Sequence, residues 1–138
     1  MKLCVCVVAA LLALGPSLVA ADEVIYGFPL DSDPGWSTEE QWAFGVPSGQ
    51  GGSSGWPDPT SGYPGDNVYG YNLDGDYPNY LSPTMWLTTT ALDFTAYVDI
   101  ELHFYRWLGV EDSRYDHAWI EVSNDGTNWT TVWHNPYG

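Results

Sequence analysis

The sequence predicts an all-β chain, an antiparallel β-sandwich, and three observations lead there. Between Tyr97 and Leu108 the apolar residues keep a period of two. Val98, Ile100, Leu102, Phe104 and Leu108 fall on one side, and Tyr97, Asp99, Glu101, His103, Tyr105 and Trp107 on the other, as a sheet with one face on a core requires. Next, Ala118, Ile120 and Val122 alternate with His117, Trp119, Glu121 and Ser123. Asn124-Asp125-Gly126 then supplies a turn before Thr130–Trp133, because Asn and Asp tolerate left-handed geometry and Gly adopts it freely. Last, 15 Gly and 10 Pro punctuate the chain, as in turn-rich β architecture. Tyr97–Trp133 is therefore expected to form three consecutive strands at the middle of the sandwich.

The elements before it follow in order. Asp22–Phe28 is read as a first strand, and Asp31-Ser32-Asp33-Pro34-Gly35 as an acidic turn leading to Trp36. Gln41–Val46 is a second strand. Pro47–Asn67 is a long Gly/Pro/Ser-rich loop carrying Trp56 and Tyr63, and loops of that length are commonly functional or mobile. Asn67–Asn72 is a third strand, Leu73–Asn79 a second acidic loop, and Met85–Thr90 a fourth strand. No repeat and no convincing helix is present. The last strand is followed only by His134–Gly138. None is left to return beside an early one, so the sandwich is expected to be incomplete at its C-terminal end.

The first 21 residues have a separate logic. Met1-Lys2 is a basic start, Leu3–Leu14 is apolar, Gly15-Pro16 breaks the run, and Val19-Ala20-Ala21 offers small residues before a cut. That is the grammar of a secretory signal peptide, and the run is short for a membrane span. Both cysteines, Cys4 and Cys6, lie inside it. A chain cut after Ala21 would hold no thiol and would rely on packing or metal.

Residues 22–138 form one module at this length. With Lys2 removed, two arginines face 18 acidic residues, a balance of −16. Nucleic acid and anionic membrane surfaces are disfavoured, since no basic patch exists to meet phosphates. Aromatic content of 16% with eight Trp argues against disorder despite the charge.

The runs FPLDSDPGW…QWAFGVP, NVYGYNLDGDYPN and FYRWLGVEDSRYDHAWIEVSNDGTNW resemble jelly-roll modules attached to secreted bacterial proteins. These are the accessory domains of immune inhibitor A-type metallopeptidases and, more remotely, cleaved-adhesin and MAM-like domains of the galactose-binding class. The match spans most of Val24–Trp133, and YDHAWIEVSNDGTNW carries it best. The resemblance implies a non-catalytic, often calcium-binding module for adhesion, substrate docking or support of a neighbouring enzyme domain. The final acidic segment of such modules is not in this chain.

Calcium is the suspected cofactor. Ca²⁺ takes six to eight oxygens, and Asp31, Asp33 and Asp116 sit in turns that a sandwich gathers at one end. Asp74 and Asp76 form a second i, i+2 pair. The plainer reading is that these aspartates cap their own turns. No EF-hand spacing is present. Arg106 falls on the apolar register of its strand, where it calls for an ion pair with Asp116 or Glu111, or for a β-bulge that turns it outward.

Trp56 and Tyr63 are candidate ligand-binding aromatics, able to close over a sugar ring. Trp107 and Trp119 are read as ordinary cross-strand pairing. His103, His117 and His134 show no zinc spacing. No nucleophile elbow or phosphate loop is present, and Asp99 and Glu101 read as solvated carboxylates rather than a glycosidase pair. Asn128-Trp129-Thr130 is a glycosylation sequon. The expected function is thus a secreted, non-catalytic, calcium-binding β-sandwich module for adhesion or as an accessory to an extracellular peptidase. The alternative is a carbohydrate-binding module. Its partner would be an extracellular protein or polysaccharide.

Overall fold

The computed structural model describes residues 4–11, 23–53 and 55–136, with side chains from residue 23 onward. The described residues form eight strands: β1 (Cys4–Leu11), β2 (Ser37–Thr38), β3 (Trp42–Gly45), β4 (Val68–Tyr71), β5 (Leu87–Thr88), β6 (Ile100–Trp107), β7 (Trp119–Val122) and β8 (Thr130–His134). No helix occurs among them. The strands make three separate antiparallel sheets, ordered β3-β4-β1-β6, β2-β5 and β7-β8. The all-β, antiparallel class is as the alternating pattern requires.

The core is built on β4. Val68 and Tyr69 are buried with Leu30 and Trp36, and Phe28, Phe44, Leu73, Leu87 and Phe104 pack around them. Trp36 stacks on Tyr69 at 4.9 Å between centroids and 11° between planes, while Phe28 and Phe44 meet this pair edge-on. Offset stacking and edge contacts are the arrangements that ring quadrupoles favour. β3 runs antiparallel to β4 from Trp42↔Tyr71 to Gly45↔Val68, across the long loop that joins them.

Three expectations are corrected and one strand is added. Over residues 23–28 the expected first strand, Asp22–Phe28, is reduced to isolated bridge residues at Glu23 and Gly27. Its aromatics are taken by packing, Phe28 against Trp36 and Tyr26 against Phe94. β2 is an addition, two polar residues paired to Thr88 and Leu87, too short to carry a hydrophobic period. The central stretch does not form one run of paired strands. β7 and β8 pair with each other, whereas β6 belongs to the four-stranded sheet. The connection from Leu108 to Ala118 explains this, because it folds into its own turn at Asp112–Asp116 and is too long for a tight hairpin. Finally, the side of β6 expected to lie in the core is largely open. Ile100 and Leu102 are 44% and 49% exposed, and only Phe104 reaches the core cluster.

The apolar run near the N-terminus is extended over Cys4–Leu11, paired with β6 along its length and with β4 at Val5↔Tyr69. The proposed cut after Ala21 lies outside the described residues. Among the described residues no helix is long and apolar enough to cross a membrane.

Candidate functional site: a tryptophan-lined cleft

The turn aspartates are held by their own surroundings. Asp33 accepts hydrogen bonds from the Tyr69 hydroxyl and, at 2.7 Å, from the Gly35 N–H. These two bonds lower its pKa. Asp31 lies near Gly65, where a Cβ would stand 3.6 Å from its Oδ1. Asp116 accepts from the Tyr77 hydroxyl, which also receives the Glu111 N–H at 3.3 Å. Asp76 caps the N–H groups of Gly52 and Ser53 and accepts the Ser53 hydroxyl. Asp58 stands close enough to Asp76 for that charge, after burial, to raise its pKa. The structure thus ties Asp33 to Tyr69 and Asp116 to Tyr77, in two different hydrogen-bonded groups. Among the described residues no three His, Cys, Asp or Glu side chains are grouped to hold a metal ion.

Arg106 keeps its strand register, since eight consecutive pairs run from Cys4↔Trp107 to Leu11↔Ile100 without a bulge. Its guanidinium lies 3.7 Å from the centroid of the Trp133 ring on β8, and burial lowers its pKa. A cation over an indole face is a favourable partnership, so this contact ties β6 to the β7–β8 hairpin. Asn135 performs a similar service unforeseen in the sequence. It is 2% exposed, receives the Ala118 N–H at 2.9 Å on its amide oxygen and donates to the Asp116 carbonyl at 2.9 Å.

Trp56 and Tyr63 are exposed on the long loop, at 72% and 62%. Tyr63 meets Tyr105 edge-on at 4.6 Å, and the Trp107 indole N–H donates to the Pro57 carbonyl at 3.0 Å. The loop is therefore fastened across the outer face of β6. Trp56 borders an open cleft of about 590 Å³ shared with Arg106, Trp107, Glu111 and Asn135. His103 pairs with Glu101 at 2.8 Å and His117 leans on Trp119.

Trp107 and Trp119 are not the neighbouring-strand pair their parity suggests, because β6 and β7 lie in different sheets. Trp119 instead faces Trp86, 6.4 Å between centroids and tilted by 35°. Together with Trp36, Trp42 and Trp129 they line a cleft of about 450 Å³, between the β2–β5 pair on one side and β6 and β7 on the other. Five of the eight tryptophans meet there. Phe104, Leu102 and Ile120 supply its aliphatic and aromatic floor, and Glu39 and Glu121 its carboxylates.

Local bonds set these side chains. The Glu39 N–H donates to the Trp86 carbonyl at 3.1 Å, and the Glu39 carboxylate receives the Trp86 N–H at 2.9 Å through Oε2. That reciprocal link fixes Trp86 on the short β2–β5 pair. The Trp42 indole N–H is taken by the Met85 carbonyl at 3.2 Å. On the facing hairpin, the register shifts between Ile120 and Glu121, with Val132 as the extra residue. A bulge of this kind re-aims side chains, and here Trp119, Ile120 and Glu121 all border the same cleft. Glu121 receives the Thr131 hydroxyl at 2.7 Å through Oε1. Behind the wall, the buried Trp36 indole N–H has no hydrogen-bond partner among the described residues.

Sequence reasoning missed this cleft because its tryptophans come from five segments between Trp36 and Trp129. The signal was the number of tryptophans, not their spacing. In comparisons with known proteins, no family model, curated protein or solved structure matches the chain.

Proposed function

We propose that this chain is a secreted, non-catalytic binding module, a jelly-roll-like piece of the adhesion or enzyme-accessory kind, whose ligand is a saccharide. The observation that carries the ligand class is the tryptophan-lined cleft with Glu39 and Glu121 at its border. The apolar faces of a pyranose match indole rings, and its hydroxyls donate to carboxylates. A volume of about 450 Å³ falls in the range of small-ligand clefts, which are mostly apolar with a few placed polar groups. Trp56 and Tyr63 on the fastened loop offer a second, more open aromatic surface.

Calcium is a separable part of this reading. Asp31, Asp33 and Asp116 rest on their turn chemistry and on a large carboxylate excess, in a chain with few cations to balance it. A melting temperature raised by millimolar Ca²⁺ and returned by chelator would support it. No response to either would remove it.

The saccharide reading is tested on a glycan array and by tryptophan fluorescence titration. Binding of at least one oligosaccharide is expected, quenched on titration and reduced at least tenfold by Trp119→Ala. Full binding retained by Trp119→Ala and Trp86→Ala would move the site elsewhere. No glycan bound by a folded chain would end the proposal.

A further inference from the structure

In the four-stranded sheet, β6 is an edge strand whose sheet neighbour is β1. All eight residues of β6 are paired to Cys4–Leu11, and β1 also touches β4 at Val5↔Tyr69. The N-terminal segment therefore bridges β6 to the β3–β4 hairpin. It is also the segment that export would remove. Once it leaves, β6 loses its ladder, and a strand with unpaired N–H and C=O groups is a template for another strand.

The slot is held open by contacts that do not involve β1. Phe104 packs against the core cluster, and Arg106 lies on Trp133. Trp107 is bonded to the Pro57 carbonyl and Tyr105 meets Tyr63. β6 is thus anchored at four successive residues from both of its faces.

We propose that β6 is a strand-acceptor site in the exported chain, and that its occupant is an extended, uncharged apolar segment of another polypeptide, added antiparallel to β6. The proposal rests on the export reading for residues 1–21; it shares β6 with the tryptophan cleft, whose floor includes Leu102 and Phe104, but does not depend on a saccharide being bound. The segment seen in the slot, CVCVVAAL, shows the chemistry accepted: eight residues, none charged, four of them valine or leucine. Main-chain bonds supply affinity in such strand addition, and the side-chain pattern supplies selectivity. A second copy of the chain is the disfavoured occupant. With the leader gone each copy carries a balance of −16, so two copies repel each other as they approach.

The test starts from the folded full-length chain with a specific protease site placed within residues 12–22. The probe is a fluorescein-labelled peptide of residues 2–12 carrying Cys4→Ser. Cutting is expected to create saturable, equimolar peptide binding by anisotropy, at least tenfold tighter than in the uncut chain. In a Cys4→Ser, Cys6→Ser, Tyr105→Cys chain the peptide's Cys6 is expected to form a disulfide. An Ile100→Cys chain in the same background should not, because Cys6 is opposite Tyr105 and Leu11 opposite Ile100, and bridging needs Cα atoms within about 7 Å. A chain cut in excess peptide should stay soluble even where one cut alone precipitates.

Equal capture by cut and uncut chains, equal cross-linking at both positions, or precipitation that the peptide does not prevent would each overturn the proposal. So would dimerisation of the cut chain on sedimentation without peptide. N-terminal sequencing of the exported protein separates the export reading. Retention of residues 4–11 there would overturn the slot's role in the exported chain, whatever the peptide binds in vitro.

Discussion

The Tyr69 hydroxyl donates to the Asp33 carboxylate and accepts the Trp36 backbone N–H at 3.0 Å. One phenol thus joins the acidic turn, the start of the β2 segment and the core strand β4. Tyr69→Phe keeps the ring stacked on Trp36 but leaves that N–H without its acceptor. A buried donor left unmade costs about 1–3 kcal/mol. The expected outcome in urea denaturation is a lower midpoint with unchanged slope. An unaltered midpoint would show that water replaces the hydroxyl.

The pH dependence follows from the same pair and from the β7–β8 turn. The Tyr69 bond, then the Gly35 N–H, hold Asp33 below its ordinary value of 3.8. Asp125 is held below it by the Asn128 side chain first and then by the Asn128 and Thr127 N–H groups. Folding favours the ionised form of both. Their contribution is present above pH 3.8 and is lost as pH falls through the lower folded values. On the alkaline side, burial and then the Asp33 bond push Tyr69 from 10 up to about 12. Burial and then Asp116 raise Tyr77 as well. Folding favours these neutral phenols, so their contribution holds below pH 10 and fades as pH rises through about 12. Melting temperature against pH should show a plateau with an acid limb beginning near pH 4 and an alkaline limb beginning near pH 10. The acid limb should weaken in Asp125→Asn.

Asp125 receives the N–H groups of Thr127 and Asn128 at 2.8 and 2.7 Å, and the Asn128 side-chain amide at 2.7 Å. Asp125→Ala removes the acceptor that organises this turn. Faster amide exchange is expected across β7 and β8 but not across β3 and β4. Uniform acceleration in all strands would show that the turn is not a local unit.

Arg106→Lys keeps the charge and loses the flat face that lies on Trp133. The loss expected is about 0.5–2 kcal/mol, read by thermal denaturation. Arg106→Met, which keeps the packing stem, should cost a similar amount. A stable Lys variant would place the value of the contact in charge alone.

Asn135→Ala strands the Ala118 N–H and the Asp116 carbonyl, both served by one buried amide. A cost of about 1–3 kcal/mol per group left unmade is expected. Early fraying of the β7–β8 hairpin by hydrogen exchange should accompany it. Retained protection at Ala118 would refute the assignment.

The alternation of Ile100 to Trp107, the Val68–Tyr71 strand and the Asn124–Gly126 turn was legible in the residues themselves, because side-chain period and turn chemistry are local. The acidic balance was equally a matter of composition. Partnership was not. Nothing in Tyr105 or Arg106 says that β6 pairs with Cys4–Leu11 rather than β7, since a strand edge accepts any backbone and the choice falls to packing. The same holds for the cleft. Trp36, Trp86 and Trp119 are distant in sequence and line one cleft only because separate sheets face each other, so contact, not pattern, decided where the tryptophans gather.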